Sequence, residues 1–257
     1  MMHLVKAEMR ILIRLRSVQA ACLIAVLAVS EQFRAAVSLS TISGNGVSDP
    51  LFYLSQFLLG LIVLGNCAII VIGGVLGATD FPWKTWGVKL SHGSRRQMVL
   101  AKILVVLFAS LVVSSVIFIA GILASIGKGI NAFTLSDLYR SLGQLVATIY
   151  ILFYWGVMAL TLCYYTESLA FGVAFCLIYG FLERLAATYL GSAAKVFLPV
   201  WNQNGFLAPL FSNIDNGSII VMPDNYSHPL ISLVVFSFYL VIAILPLGYM
   251  VQRRDYE

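Results

Sequence analysis

The chain has 257 residues, of which 60% are hydrophobic and 11% are charged, whereas an average soluble domain has about 25% charged residues. So few charges cannot cover a water-facing surface, which excludes an ordinary soluble domain and indicates a protein embedded in a membrane. The net charge of +5 would suit a nucleic-acid partner, but the basic residues flank the apolar segments, so we expect none.

Residues 3–16 predict a basic amphipathic helix at the start of the chain. Lys6, Arg10 and Arg14 follow one another at i, i+4 spacing, and apolar residues occupy much of the remaining surface. A helix of this kind lies in the membrane interface on the cytoplasmic side. The alternative is a basic segment that only orients the chain and has no defined helix. A cleaved signal peptide is disfavoured because the basic region is too long.

Six segments have the length and apolar character that a membrane-spanning helix needs, about 20 residues. They are residues 18–38, 51–77, 99–125, 142–165, 168–190 and 229–251. The chain has 16 basic residues, and most of them precede the first segment, lie between the second and third, or follow the last. Because basic residues mark the cytoplasmic side, both termini are predicted to be cytoplasmic, which agrees with an even number of spans.

The connection between the fifth and sixth segments, about residues 191–228, contains an apolar stretch interrupted by Pro199, Gly205 and Pro209. It is too short to span a membrane and too apolar for a solvated loop, so we predict one or two short helices at the outer interface or dipping back toward the bundle.

Ser94 and Ser136 are predicted helix N-caps.

The predicted fold is therefore all-α. It is an integral membrane six-helix bundle with an amino-terminal amphipathic interfacial helix and short outer interfacial or re-entrant helices between spans five and six. One domain covers residues 1–257. Asn66, within the second span, is expected to form a hydrogen bond between helices.

Four charged residues interrupt the apolar segments near their predicted outer ends, and charges there are candidates for function. Glu31 and Arg34 are three residues apart, so they share a helix face and can pair. Glu183 and Arg184 are adjacent, so they point in different directions and need other partners. These four residues are candidates for an outer gate or for interhelical pairs.

The sequence contains no recognisable set of catalytic residues. His3, His92 and His228 are far apart, and no pair of His or Cys residues has metal-ligand spacing. Residues 60–67, GLIVLGNC, have two glycines but lack the lysine of a phosphate-binding loop. We expect no catalytic, cofactor-binding or metal-binding residues and no ATPase activity in this chain, so any ATP would be bound by another subunit.

The densest charge lies in the predicted cytoplasmic loop of residues 80–97, which also carries Phe81, Trp83 and Trp86. Trp and Lys are common at membrane surfaces, so the loop can be an interfacial anchor. Aromatic and Arg side chains also dominate buried protein contacts, so it can equally be a docking element for a cytoplasmic partner. Physical reasoning alone leaves both possibilities open.

The spacing of this loop resembles that of ABC-2-type transporter permeases. The resemblance rests on Asp80-Phe81, Lys84-Thr85-Trp86, Lys89-Leu90-Ser91, Gly93-Ser94-Arg95 and Lys102. In that family the loop forms a coupling helix that inserts into a groove of the ATP-binding subunit. The amphipathic first helix, the six spans and the helices between spans five and six are similar as well. Lys84 stands where Gly is usual, Asp80 replaces Glu, and Gly93 replaces a commoner Pro.

The resemblance implies the permease subunit of an ATP-driven ABC exporter in the plasma membrane of a bacterium. Two ATP-binding subunits would bind ATP and Mg, and a second permease subunit, identical or related, would complete a dimer. Spans one, two and five would line the translocation path. The residues expected to couple to the ATPase subunit are Asp80, Phe81, Trp83, Thr85, Trp86, Leu90, Arg95 and Arg96.

Two other classes remain as alternatives. A non-ABC secondary transporter or channel subunit would often have central intramembrane charges, internal repeats or broken helices. A membrane enzyme would need clustered His, Asp or Glu near one membrane face. No feature of the predicted spans indicates which substrate is transported.

Overall fold

The computed structural model describes residues 2–42, 52–62, 66–79, 94–127, 134–211 and 228–253. These ranges contain ten helices and no strand, so the all-α class is confirmed for them. The helices are α1 (Met2–Arg14), α2 (Arg16–Ile42), α3 (Phe52–Gly60), α4 (Asn66–Ala78), α5 (Arg95–Gly127), α6 (Leu135–Thr166), α7 (Leu169–Tyr189), α8 (Ser192–Lys195), α9 (Pro199–Phe211) and α10 (Pro229–Arg253).

Four of these helices, α5, α6, α7 and α10, are long and apolar enough to cross a membrane. Helices α1 and α2 meet at a 71° bend and add a fifth span if the pair is counted as one. These helices are compatible with a multi-pass membrane protein, whereas the count of six spans stays a prediction.

The predicted second span, residues 51–77, is not described as one continuous helix. Helix α3 ends in a π turn at residues 61–62, and residues 63–65 lie outside the described ranges. Helix α4 has 13 residues, which reach about 20 Å at 1.5 Å per residue, less than the roughly 30 Å of a bilayer core. Neither helix is therefore long enough to cross a membrane by itself.

The ends of α5 and α6 follow local hydrogen-bonding rules. The Ser94 hydroxyl accepts from the Gln97 backbone N–H, and the Gln97 side chain accepts from the Ser94 backbone N–H. This reciprocal capping box confirms the predicted cap at Ser94. The predicted cap at Ser136 is wrong, because Thr134 forms the same box with Asp137. Helix α6 therefore begins at Leu135, seven residues before the predicted span.

Helices α4 and α6 form the most extensive helix pair, and glycines bring their backbones together. A Cβ added at Gly73 would lie 2.0 Å from the Gly156 carbonyl oxygen, and one added at Gly77 would lie 2.5 Å from the Leu160 carbonyl oxygen. Gly73 and Gly77 are four residues apart, the spacing of the small-residue motif that packs membrane helices closely. The absence of side chains at these positions thus sets the distance between the two helices.

Helix α1 is a defined helix, as predicted, and it has two faces. Leu4, Glu8 and Leu12 are buried on one face, and α1 packs against α5. Lys6 and Arg10 are exposed on the other face. The basic side chains therefore point away from the protein, which is the arrangement that the amphipathic pattern predicts.

The connection after α7 contains two short helices, α8 and α9, which agrees with the prediction of one or two. Helix α9 buries Val200, Phe206 and Leu207 and packs on α6, α7 and α10. It therefore folds back onto the bundle instead of lying apart from it.

Replacing Gly73 with Ala is expected to destabilise the protein, because the new methyl group meets a backbone carbonyl that cannot move without shifting α6. Overpacking of this kind costs about 1–3 kcal/mol. The measurement is thermal unfolding in detergent, followed by the reaction of the buried Cys163 and Cys176 with a fluorogenic maleimide after the half-buried Cys22 and Cys67 have been replaced with Ser.

Gly248→Ala in α10 is the matched control, because a Cβ there would meet no atom within 4 Å. Its melting temperature should equal or slightly exceed that of the wild type, since Ala favours helix more than Gly does. Equal melting temperatures for Gly73→Ala and the wild type would contradict the close α4–α6 contact.

Candidate functional site

Most of the residues predicted to couple to an ATPase subunit lie outside the described ranges. These are Asp80, Phe81, Trp83, Thr85, Trp86 and Leu90. Arg95 and Arg96 lie in the first turn of α5, and the Arg96 side chain is exposed. The structure therefore describes the two helices that flank the loop, α4 before it and α5 after it.

The two flanking helices are joined at the base of the loop by Lys102. This side chain lies on α5 and is 1% exposed, and its ammonium donates a hydrogen bond to the carbonyl oxygen of Leu76. Leu76 is in the last turn of α4, where carbonyl groups have no partner within the helix. A positive charge there also matches the negative end of the helix dipole. Lys102 thus fixes the end of α4 to the start of α5.

Glu31 and Arg34 form an ion pair within α2, with 2.9 Å between Glu31 Oε2 and Arg34 Nη2. Their side chains are 63% and 79% exposed, and exposed pairs contribute about 0–1 kcal/mol. The pair lies within one helix and does not join two helices. A role in an outer gate stays a prediction.

Glu183 is buried in α7, with 4% of its surface exposed. Its Oε1 accepts hydrogen bonds from the backbone N–H groups of Val200 at 2.5 Å and Trp201 at 3.0 Å. These residues form the first turn of α9, whose N–H groups have no partner within the helix. Glu183 therefore caps α9 from another helix, and its negative charge matches the positive end of the dipole. Arg184 is the next residue of α7.

The other end of α9 is held by α6. The carbonyl oxygen of Leu210, in the last turn of α9, accepts from Arg140 Nε at 3.1 Å and from Gln144 Nε2 at 2.8 Å. Gln144 Nε2 also donates to the Ser55 hydroxyl of α3 at 2.8 Å. Helix α9 thus has a carboxylate at its N-terminus and a guanidinium at its C-terminus, as its dipole favours.

The middle of α9 is joined to α6 by one further polar contact. Trp155 Nε1 donates to Gln203 Oε1 at 3.0 Å, and both side chains are almost fully buried. Asn202, the preceding residue, donates to the carbonyl groups of Val196 and Leu198 and so fixes the turn that leads into α9. We call this set of contacts, from Glu183 to Arg140 and Gln144, the α9 anchor.

Sequence reasoning missed several members of the α9 anchor. Arg140 lies just before the predicted fourth span of residues 142–165, and neither it nor Gln144 and Gln203 was singled out from the sequence. The sequence did contain one signal of such a contact, the lone side-chain amide of Gln144 within an apolar segment. An amide in a membrane helix needs a hydrogen-bond partner in another helix. Hydropathy does not identify that partner, which for Gln144 lies 66 or 89 residues away in the chain.

Replacing Glu183 with Ala should loosen the first turn of α9, because two buried N–H groups lose their acceptor. Each such loss costs about 1–3 kcal/mol, so amide hydrogen exchange of peptides covering residues 199–203 should become faster. Glu183→Gln keeps an acceptor oxygen without the charge and should have an intermediate effect.

Glu31→Ala is the control, since it removes an exposed carboxylate of α2 and should leave exchange in α9 unchanged. If Glu183→Ala exchanged at the wild-type rate in these peptides, the capping role of Glu183 would be wrong.

Replacing Lys102 with Met should loosen the loop between α4 and α5, because the ammonium that joins the two helices is lost while the side-chain length is kept. The expected result is a severalfold faster tryptic cleavage after Lys84, Lys89 and Arg95. The measurement is mass spectrometry of limited digests, and Lys6→Met, at an exposed position of α1, is the control. Unchanged cleavage would show that Lys102 does not hold the loop.

No protein-family model matches this chain, and no curated protein or solved structure matches it either.

Proposed function

We propose that this chain is the transmembrane permease subunit of an ATP-driven ABC exporter. In this proposal the six predicted spans form the translocation path together with a second permease subunit, identical or related. Two ATP-binding subunits dock on the loop of residues 80–97 and bind ATP and Mg. Both termini and this loop lie in the cytoplasm of a bacterial cell, and the protein resides in the plasma membrane.

The spacing of the loop residues, from Asp80 to Lys102, is the sequence observation behind the proposal. The structural observation that carries it is the contact of Lys102 with the Leu76 carbonyl group. A loop that transmits force needs a stiff base, since otherwise its displacement is lost in local motion. Lys102 is buried and joins α4 to α5, so both ends of the loop start from one connected unit.

A route from this base to the predicted outer side of the bundle can be followed through described contacts. Helix α4 packs on α6 through Gly73 and Gly156, and α6 holds α9 through Arg140, Gln144 and Trp155. In the proposed exporter, a displacement of the loop would move α4 and α6 together and reach α9. The capped helix α9 would then be a part of the predicted outer side that moves during transport.

The proposal predicts that an ATP-binding subunit co-purifies with the tagged chain from its native membrane. Replacing both Trp83 and Trp86 with Ala should reduce the recovered ATPase at least tenfold, because aromatic anchors contribute most of the energy of buried contacts. The measurement is the amount of partner, identified by its ATPase activity and by mass spectrometry, per amount of tagged chain.

A matched control replaces Tyr189 and Phe197, two exposed aromatic residues that lie outside the loop of residues 80–97, with Ala. It should recover the partner like the wild type. Absence of any ATPase in the wild-type preparation would count against the exporter proposal. Full recovery with the Trp83 and Trp86 variant would remove only the role of these two residues.

A further inference from the structure

A cavity of about 240 Å³ lies between α4, α6, α7 and α9. Its walls are mainly apolar, with Ile70, Trp155 and Phe181 among them, and the side-chain amides of Asn66 and Gln203 also line it. The described residues that line this cavity include no charged side chain, although the carboxylate of Glu183 lies behind Val200. An occupant, or the part of it that enters, is therefore uncharged.

The cavity reaches the surface of the chain along α7. Two of its lining side chains, Leu177 and Phe181, are 40% and 63% exposed. Helix α7 is one of the four helices that are long and apolar enough to cross a membrane. When the chain lies alone in a bilayer, this opening would face hydrocarbon and not water; in the proposed dimer, the same face of α7 would lie on the translocation path.

Water is a poor occupant for this space. At about 30 Å³ per molecule, the volume corresponds to roughly eight waters, and each water needs two to four polar partners. The lining offers two side-chain amides, and Gln203 Oε1 already accepts a hydrogen bond from Trp155. Hydrocarbon needs no such partners and is favoured by the apolar walls.

The size of the cavity limits what enters. Pockets for complete drug-sized ligands have about 300–1,000 Å³, so this one admits part of a larger molecule, such as a single chain. We propose that the cavity binds one acyl chain of a membrane lipid, which enters beside Leu177 and Phe181 and extends toward Trp155. Because Val200 and Gln203 of α9 form one wall, the bound chain packs directly against the anchored helix.

The test uses Trp155 as a fluorescent probe inside the cavity. Trp83, Trp86 and Trp201 are replaced with Phe, and the purified chain is reconstituted into phosphatidylcholine vesicles with plain acyl chains or with chains brominated near their middle. Bromine quenches tryptophan at short range. We expect a severalfold loss of Trp155 fluorescence in the brominated vesicles, although the side chain is only 3% exposed.

Two substitutions fill the cavity from different walls. They test whether the quenching acyl chain lies inside the cavity. A Cβ at Gly180 would lie 3.4 Å from the Trp155 ring, so Gly180→Leu places its branched end in the cavity, and Cys67→Leu does so from α4. Both variants should retain most of their fluorescence in brominated vesicles. The fluorescence of a variant is compared with that of the parent only if the variant keeps a cooperative melting transition. One folded variant is enough for the test.

Two controls leave this cavity open. Gly180→Ala adds only a methyl group at ordinary contact distance, and Ala25→Leu fills a separate apolar cavity of about 140 Å³ bordered by α2, α4 and α5. Both should be quenched like the parent chain.

Absence of quenching in the parent would overturn the proposal. Equal quenching in the parent and in a folded cavity-filling variant would overturn it too, since the bromine would then reach Trp155 from lipid outside the cavity. The measurement involves no ATPase partner, so its failure leaves the proposed function untouched.

Discussion

The contact of α4 with α6 at Gly73, Gly77 and Gly156 is the constraint on which the rest of the bundle depends. Between helices in lipid there is little hydrophobic driving force, so close backbone approach supplies the packing energy. Helix α6 is 61% buried over its most apolar window, against 17–28% for α5, α7 and α10. It contacts α3, α5, α7, α9 and α10 as well as α4, so its distance from α4 sets the frame for the others.

The polar contacts of the buried Lys102, Glu183 and Gln144 and the half-buried Arg140 share one physical explanation. The C-terminal end of α4 and both ends of α9 pack against other helices, where an unpaired N–H or C=O group is costly. Lys102 binds the C-terminal end of α4, Glu183 binds the N-terminal end of α9, and Arg140 and Gln144 bind its C-terminal end. Each charge also has the sign that the helix dipole favours.

These end contacts connect the proposed function with the proposed lipid site. The base of the 80–97 loop and the α9 anchor lie at different parts of one continuous set of contacts through α4 and α6. The cavity lies between the same helices, with α7 on its open side. In the proposed exporter, a lipid chain in the cavity would therefore meet the helices through which a displacement of the loop passes.

Composition and local spacing determined a good part of this protein without the structure. The helical class, the long apolar helices, the amphipathic α1, the cap at Ser94 and the short helices after α7 all depend on residues close together in the chain. The π turn at residues 61–62, within the second predicted span, was not predicted, because hydropathy is averaged over a window and does not report backbone hydrogen bonding. The tertiary structure alone decided the partners of Lys102, Glu183, Arg140 and Gln144, which lie 17–89 residues away. Helical periodicity indicates which face of a helix is apolar but not which other helix will meet it, because that choice depends on how the whole bundle packs.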